Sequence, residues 1–232
     1  MTTKVAIVTG ASRGLGRALA AGLAEQGWRL VIDGRDPVAL EHARGALPGD
    51  VAAVAGDITD ASHRAELVSV AAELGPLGLV VHNAGLLGPS PLPPISQFPL
   101  SALRDLIEAT LVAPVALTQL AIPFLRHTQG ALVAVTSDAA VEAYPGWGGY
   151  GAAKAALDQA MRVLAVEEPA VRVWSVDPGD LRTRMHQEAF PGEDISDRPL
   201  PETVVPAFLR LLDRRPESGR VRLADLLVAA VV

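Results

Sequence analysis

The stretch VAIVTGASRGLGRAL, residues 5–19, joins a short apolar run to a turn that contains three glycines. Four consecutive apolar residues at 5–8 predict a strand that is buried on both faces of a sheet. Gly10 permits a sharp turn, Gly14 lets the backbone approach an anion, and Gly16 lets the next helix pack closely against the strand. The stretch therefore predicts a strand–turn–helix unit whose free N–H groups at the helix start face a bound phosphate, typical of dinucleotide binding.

The rest of the chain repeats this alternation of apolar strands and longer helical segments. Further strands are predicted at 30–32, 51–55, 79–82, 132–136 and 171–176, and helices at 15–26, 61–74, 101–127, 150–167 and about 202–212. Near-continuous apolar strands between helices indicate βαβ units. The predicted fold is therefore α/β, a doubly wound parallel sheet with helices on both faces, and residues 1–232 are expected to form one domain.

Two irregular segments interrupt the alternation. Residues 86–99 are rich in proline, and residues 184–200 contain two prolines and a glycine without a clear helical pattern. Both follow predicted strands, and ligands of doubly wound sheets bind beyond the carboxyl ends of the strands. We therefore expect these two segments to form walls of a substrate site.

The composition excludes several classes of function. The chain has no cysteine, so it forms no disulfide and no thiolate nucleophile. A net charge of −6 without a basic stripe argues against nucleic-acid binding. No uninterrupted apolar run approaches the roughly 20 residues that span a bilayer, and no targeting signal is visible, so we expect a cytoplasmic protein with no membrane partner.

The end of the second predicted strand bears on the choice of cofactor. Here Asp33 would accept hydrogen bonds from the ribose hydroxyls of NAD, whereas Arg35 would pair with the 2′-phosphate of NADP. Counted from Gly27, which precedes the strand, the end of the strand falls at Gly34. Asp33 therefore lies one residue before the position at which a ribose-binding acid is expected. Arg13, inside the glycine turn, adds a second cation. The sequence therefore favours NADP(H) and leaves NAD(H) possible.

A serine, a tyrosine and a lysine occur at a spacing that suits carbonyl chemistry. Tyr150 and Lys154 are four residues apart and share one helix face, and Ser137 ends the preceding strand. A phenol can protonate the alkoxide that hydride transfer forms, and a nearby ammonium is expected to lower the pKa of that phenol. Only two of the 20 cationic residues are lysines, which itself suggests a chemical role for Lys154.

These motifs resemble the short-chain dehydrogenase/reductase family in its compact single-domain type, from about residue 4 to about residue 183. The resemblance implies a Rossmann-like fold, NADP(H) or NAD(H) as cofactor, a small carbonyl or alcohol substrate, no metal, and a homodimer or homotetramer. It implies that Ser137, Tyr150 and Lys154 are catalytic. The residues implied to bind the cofactor are Gly10, Ser12, Arg13, Gly14, Leu15, Gly16, Arg35, Asp57, Ile58, Asn83, Ala84, Gly85, Tyr150, Lys154, Pro178, Gly179, Leu181 and Thr183.

Within that resemblance each motif has an implied role. Asp57 and Ile58 would contact adenine, and the motif that begins at Asn83 would stabilise the central sheet beside the cofactor. The Leu181 backbone and the Thr183 hydroxyl would hold the nicotinamide carboxamide.

Two parts of the chain depart from the family pattern. Thr110 stands where many relatives have an asparagine whose backbone carbonyl holds a water in a proton relay. Residues 218–220 are not followed by the usual strand with paired glycines, so we expect none there. The apolar tail at 226–232 is expected to cover or join an interface.

The sequence thus predicts an oxidoreductase that transfers hydride between NADP(H) and a neutral, partly hydrophobic carbonyl or alcohol. The alternative is a catalytically silent nucleotide-binding sensor or scaffold of the same fold. Tyr144 and Trp147 would either line the substrate pocket or pack beneath it. We interpret His82 as a strand-end side chain rather than a general base, and His186 has no partner at metal-binding spacing.

Overall fold

The computed structural model describes residues 4–228, which contain a seven-stranded parallel sheet with helices on both faces. The strands are β1 Val5–Val8, β2 Arg29–Gly34, β3 Val51–Ala55, β4 Leu77–His82, β5 Ala131–Val135, β6 Arg172–Asp177 and β7 Gly219–Arg222. The helices are α1 Gly14–Glu25, α2 Pro37–Gly45, α3 Ala61–Leu74, α4 Leu100–Ile107, α5 Ala113–Thr128, α6 Gly148–Glu167, α7 Arg184–Ala189, α8 Val205–Arg214 and α9 Leu223–Val228.

The strand order is β3-β2-β1-β4-β5-β6-β7, so the chain reverses its direction of winding between β1 and β4. Loops after neighbouring strands diverge at such a point and leave a crevice at the carboxyl edge of the sheet. The predicted α/β, doubly wound fold is confirmed. The six strands predicted from apolar runs are β1 to β6, with ends that differ by at most two residues.

Each face of the sheet is covered by its own group of helices. On one face, α1, α2, α8 and α9 supply buried side chains such as Leu19, Leu40 and Phe208. On the other face, α3, α5 and α6 supply buried side chains such as Leu67 and Leu117. Burial on both faces explains why the central strands read as continuous apolar runs rather than as alternating ones.

The helix predicted at 101–127 is continuous from Leu100 to Thr128 but contains a wide π-helical turn at Glu108–Val112. By length and composition alone this helix could cross a membrane. One of its faces, however, is buried against α3, α6 and β4, as in the core helix of a folded domain.

The expectation of no strand after residues 218–220 is wrong. Residues Gly219–Arg222 form β7, which pairs with β6 from Trp174↔Gly219 to Asp177↔Arg222. This strand escapes sequence analysis because it is only four residues long, lies at the sheet edge and carries two arginines. The apolar pattern that reveals central strands is therefore missing.

Three helices, α2, α7 and α9, were also not predicted. Asp36 accepts hydrogen bonds from the N–H groups of Val38 and Ala39 and so caps α2, whose first residue is Pro37. Within the segment 184–200, which was expected to be irregular, the Thr183 hydroxyl accepts from the His186 N–H and caps α7. Of the apolar tail, Leu226 packs on the core, and residues 229–232 lie outside the described residues.

Replacing Phe208 by alanine is expected to lower the free energy of unfolding by about 3–5 kcal/mol, because the ring is fully buried where α8 meets the sheet. Urea denaturation followed by circular dichroism measures this loss. The control Val166→Ala, on the exposed side of α6, should change stability by about 0.5 kcal/mol or less. A loss below about 1 kcal/mol for Phe208→Ala would contradict the central position of α8.

Candidate active site

The glycine turn is fixed to the end of β4 by a set of hydrogen bonds. The Thr9 hydroxyl accepts from the N–H groups of Asn83 and Ala84, both at 3.0 Å. In return, Asn83 Nδ2 donates to the carbonyls of Thr9 at 2.8 Å and Gly10 at 3.1 Å. These bonds fix the turn after β1 to the end of β4, at the point where the two strands' connections diverge. The amides at the start of α1 therefore have a defined direction.

The three glycines of the turn meet the geometric requirements that their spacing suggested. Gly10 and Gly14 have φ angles of 66° and 56°, in the left-handed region that favours glycine. A Cβ on Gly16 would lie 2.4 Å from Asn83 Nδ2 and 2.5 Å from the Gly10 carbonyl oxygen. Gly16 therefore allows close packing, whereas Gly10 and Gly14 line the cleft itself.

Behind the turn, the carboxylate of Asp33 is buried and already engaged. The Gly10 N–H donates to Asp33 Oδ1 at 2.5 Å, and His63 Nε2 lies 3.1 Å from Asp33 Oδ2. Both side chains are almost fully buried. From the sequence, Asp33 was a candidate ligand of the ribose, and its contact with His63 was not predicted. That contact comes from the packing of α3 against β2, which has no local sequence signal.

The strand tip beyond Asp33 is lined by cations. Arg35 follows β2, is exposed and lies near Asp57, whose pKa is held below its usual value mainly by hydrogen bonds from Thr59, with the charge of Arg35 contributing. Arg13 is the N-cap residue of α1, but its side chain makes no capping hydrogen bond. Its Nη2 lies 3.8 Å from Asp36 Oδ2. Arg13, Arg35 and Asp57 all line the same end of the cleft.

At the other end of the cleft, α6 presents Tyr150 and Lys154 toward the end of β5. Lys154 Nζ is buried, donates to the Val135 carbonyl at 2.7 Å and lies 5.6 Å from the centre of the Tyr150 ring. The position that a Cβ on Gly85 would take is 3.8 Å from this nitrogen. The ammonium, the phenol and the loop after β4 therefore share one wall of the cleft.

Ser137 follows β5 and is held by its neighbours. Its hydroxyl donates to Asp138 Oδ1 at 2.9 Å, and the Tyr144 hydroxyl donates to Asp138 Oδ2 at 3.0 Å. The N–H of Ala139 also donates to Asp138 Oδ1, at 2.8 Å. The carboxylate of Asp138, for which the sequence suggested no role, thus fixes the direction of the Ser137 hydroxyl.

Burial dominates the ionisation of the two groups on α6. It raises the pKa of the Tyr150 phenol, the negative charges of Asp138 and Asp177 raise it further, and a hydrogen bond with Ser137 lowers it in part. Burial also lowers the pKa of Lys154 to about 8, against the opposing charge of Asp158. The expected lowering of the Tyr150 pKa by Lys154 is not among these causes, and removal from water together with two carboxylates sets the direction of the shift.

The segment after β6 closes the same cleft. The Gly179 N–H donates to Asp177 Oδ1 at 3.0 Å, which sets the direction of the chain at Pro178. Leu181 is buried in the core. The methyl carbon of Thr183 lies 3.6 Å from the position that a Cβ on Gly14 would take. Residues 178–183, called here the nicotinamide segment after the role that the resemblance implies, therefore lie next to the glycine turn in the wall of the cleft.

The cleft has a volume of about 940 Å³ and runs from the strand tip of β2 to the walls around Tyr150. Of the residues implied to be catalytic or to bind cofactor, the following line it: Gly10, Ser12, Arg13, Gly14, Leu15, Arg35, Asp57, Ile58, Asn83, Ala84, Gly85, Ser137, Tyr150, Lys154, Pro178, Gly179, Leu181 and Thr183. Gly16 packs beneath them.

The two irregular segments meet above Tyr150. Leu87 and Leu92 from the first segment pack with Met185 and Phe190 from the second. The Ser90 hydroxyl donates to the Glu188 carbonyl at 2.6 Å, which ties the segments together. Trp147 lines the cleft, and its ring meets the Tyr150 ring edge-on at 5.5 Å.

Two buried polar residues, Thr110 and His82, stand apart from the cleft chemistry. Thr110 lies in the π-helical turn, almost fully buried, and its hydroxyl has no hydrogen-bond partner among the described residues. The π turn thus lies at the position where the resemblance implies an asparagine. His82 lies beside Thr118 at 2.8 Å, and burial lowers its pKa to about 3, so it stays neutral.

Comparison with known proteins matches this geometry to one family. Residues 4–194 match the family described as short chain dehydrogenase. The oxidoreductase YciK of Escherichia coli is 30% identical over 94% of this chain and 90% of its own. Sepiapterin reductase of Rattus norvegicus is 35% identical over 80% of this chain and 77% of its own.

A solved structure extends the match to three dimensions. A short chain dehydrogenase from Shigella flexneri, complexed with NADP, superposes with a TM-score of 0.86 at 30% identity, covering 96% of this chain and 97% of the other. The matched sequence covers most of the chain, and the matched structure shares the sheet and its crevice. The chain therefore belongs to the short-chain dehydrogenase/reductase family of NAD(P)-dependent oxidoreductases.

Proposed function

We propose that this protein is an NADP(H)-preferring carbonyl reductase or alcohol dehydrogenase in which Ser137, Tyr150 and Lys154 act on the substrate. The observation that carries the proposal is that these three side chains line the same cleft as the glycine turn. A dinucleotide that lies along the cleft would therefore place its two ends at the two sets of residues. The one-domain organisation, a cytoplasmic location and assembly as a homodimer or homotetramer stay predictions.

The residues at the β2 end fit a dinucleotide with a 2′-phosphate. The first turn of α1 contains no acidic residue, so its free N–H groups are suited to a pyrophosphate. Arg13 and Arg35 offer two cations, while both carboxylate oxygens of Asp33 already have partners inside the protein. A Cβ on Gly34 would lie 3.1 Å from Ser12, which fits a glycine rather than an acid as the last residue of β2. The other acids that line this end, Asp36 and Asp57, each lie close to one of the two arginines. The relative from Shigella flexneri was solved with NADP.

At the other end, the bound nicotinamide supplies or accepts the hydride, and the protein handles the proton. In the reducing direction the Tyr150 phenol donates its proton to the oxygen that becomes the alcohol. With its raised pKa this phenol is protonated at neutral pH but is a weak acid, so its proton moves only to a strong base such as the alkoxide that hydride transfer forms. Lys154, with a pKa of about 8, remains mostly charged at that pH and can hold the ribose hydroxyls.

The proposed substrate is a neutral, partly hydrophobic carbonyl compound or the matching alcohol. The walls above Tyr150 are apolar, formed by Leu87, Trp147 and Met185. Asp138 stands next to Ser137, and its negative charge would repel a substrate carboxylate close to the reacting oxygen. These features support an uncharged carbonyl over a keto acid.

Tyr150→Phe is expected to lower kcat/KM for carbonyl reduction by about 10²- to 10⁴-fold, because the proton donor is lost. Steady-state oxidation of NADPH in the presence of a panel of ketones and aldehydes measures this. The control is Val166→Ala on the exposed side of the same helix, which should stay within about threefold of wild type. Full turnover by a folded Tyr150→Phe enzyme would refute the proposed mechanism.

Arg35→Ala is expected to weaken NADPH binding by roughly tenfold to a hundredfold, the usual worth of a hydrogen bond to a charged group, and to leave NADH nearly unchanged. Titration of cofactor fluorescence gives both dissociation constants. Arg44→Ala removes an exposed arginine of α2 that pairs with Glu41, and it serves as control. Equal losses for both cofactors would contradict recognition of the 2′-phosphate by Arg35.

Asp33→Ala is expected to weaken NADPH and NADH to the same extent, by about tenfold, because the Gly10 N–H and His63 lose their buried acceptor and the turn loses its support. Asp33→Asn keeps an acceptor oxygen and should lose less. Calorimetric titration with each cofactor distinguishes the cases. A selective loss of NADH affinity would mean that Asp33 binds the ribose instead.

A further inference from the structure

Arg220, on the strand that the sequence did not reveal, contacts three parts of the active site at once. Its Nη2 donates to the Ser137 carbonyl at 2.8 Å and to Asp177 Oδ2 at 3.1 Å, and its Nε donates to Asp158 Oδ2 at 3.2 Å. The guanidinium is about three-quarters buried, and both carboxylates are buried more deeply. One side chain therefore reaches β5, β6 and α6.

Each contact of Arg220 leads to a residue of the proposed chemistry. Ser137 is itself the residue proposed to hold the substrate oxygen. Asp177 uses its other oxygen to accept from the Gly179 N–H, at the start of the nicotinamide segment. Asp158 lies one helical turn beyond Lys154 on α6. The serine, the tyrosine–lysine helix and the nicotinamide segment are thus joined through one cation.

We propose that Arg220 is a positioning residue of the active site, which aligns Ser137, α6 and the nicotinamide segment and neutralises the carboxylates of Asp158 and Asp177. This inference rests on the proposed function. Only an arginine has the planar fork that donates in several directions at once, whereas an ammonium is a compact point charge on a flexible stem. The contacts lie beneath the cleft, so Arg220 acts through its neighbours and does not touch the substrate.

The electrostatic part of the proposal concerns Lys154 and the charges that face it. On its own helix, Lys154 has the charge of Asp158 and the neutral phenol of Tyr150 beside it. Asp138 after β5 and Asp177 on β6 act on Tyr150, and Arg220 on β7 pairs with Asp158 and Asp177. Asp105 and Glu108 from the long helix line the same cleft farther along. Removing the positive charge of Arg220 leaves the carboxylates unopposed, which favours the charged form of Lys154 and raises its pKa.

The chain contains only two lysines, so the pKa of Lys154 can be measured without any assay of activity. Protein labelled selectively with ¹³C-lysine gives two side-chain signals by nuclear magnetic resonance, and Lys4→Arg assigns them. In wild type the Lys154 signal is expected to titrate near pH 8. In Arg220→Met the midpoint should rise by about half a pH unit or more.

Two further variants complete the experiment. Arg222→Met removes an exposed arginine from the same strand and should leave the Lys154 midpoint at its wild-type value. Arg220→Lys keeps the charge, so its midpoint should also stay near wild type, but kcat/KM should fall about tenfold or more because one ammonium does not align all three elements.

An unchanged Lys154 midpoint in folded Arg220→Met would overturn the proposal. If Arg220→Met does not fold, wild-type turnover by Arg220→Lys would overturn it instead. The titration needs no substrate, so a failure to find a carbonyl substrate would count against the proposed function and leave the result on Arg220 intact.

Discussion

The hydrogen bonds between Thr9 and the start of the Asn83 loop join the two strands at which the sheet changes its direction of winding. A crevice opens at this point because the chain leaves β1 and β4 toward opposite faces. Without a tie across the crevice, the glycine turn would be free to move with its loop. The Thr9 hydroxyl and the Asn83 amide instead make the turn part of the sheet. The direction of the α1 amides, and with it the cofactor end of the cleft, depends on this tie.

The fold was largely predictable because its central strands are buried on both faces. Such strands must be apolar along their whole length, so β1 to β6 stand out in the sequence. β7 was missed since an edge strand next to a short loop can carry arginines, and Arg220 and Arg222 removed the apolar signal. α2 was missed because it is short and buries only Leu40 and Ala43, so its sequence carries little apolar periodicity.

The candidate site was predictable where its chemistry depends on spacing along one element. Tyr150 and Lys154 share a helix face, and the glycines of the first turn follow one another, so local sequence brings each group together. The contacts of Asp33 with His63 and of Arg220 with Asp158 join residues 30 and 62 positions apart. Such pairs arise from tertiary packing, and nothing in the local sequence of either partner indicates the other.

Burial also explains why the ionisation of the site differs from the simple expectation. A phenol beside an ammonium in water would become more acidic, but here both groups are removed from solvent and carboxylates stand close by. The pKa of Tyr150 is therefore raised, so the phenol stays protonated, whereas the pKa of Lys154 is lowered to about 8. The positive charge of Arg220 opposes the carboxylates of Asp158 and Asp177, and it thereby limits how far they raise the pKa values of Tyr150 and Lys154.

The bond from Ser90 to the Glu188 carbonyl has a kinetic meaning. It connects two segments that leave the sheet at different strands, and together with the packing of Leu87 on Met185 it roofs the space above Tyr150. A displacement of either segment therefore pulls on the other, and the shape of the space above Tyr150 depends on both. Because loop motions can limit turnover, substitutions in either segment are expected to change the turnover number as well as the fit of the substrate.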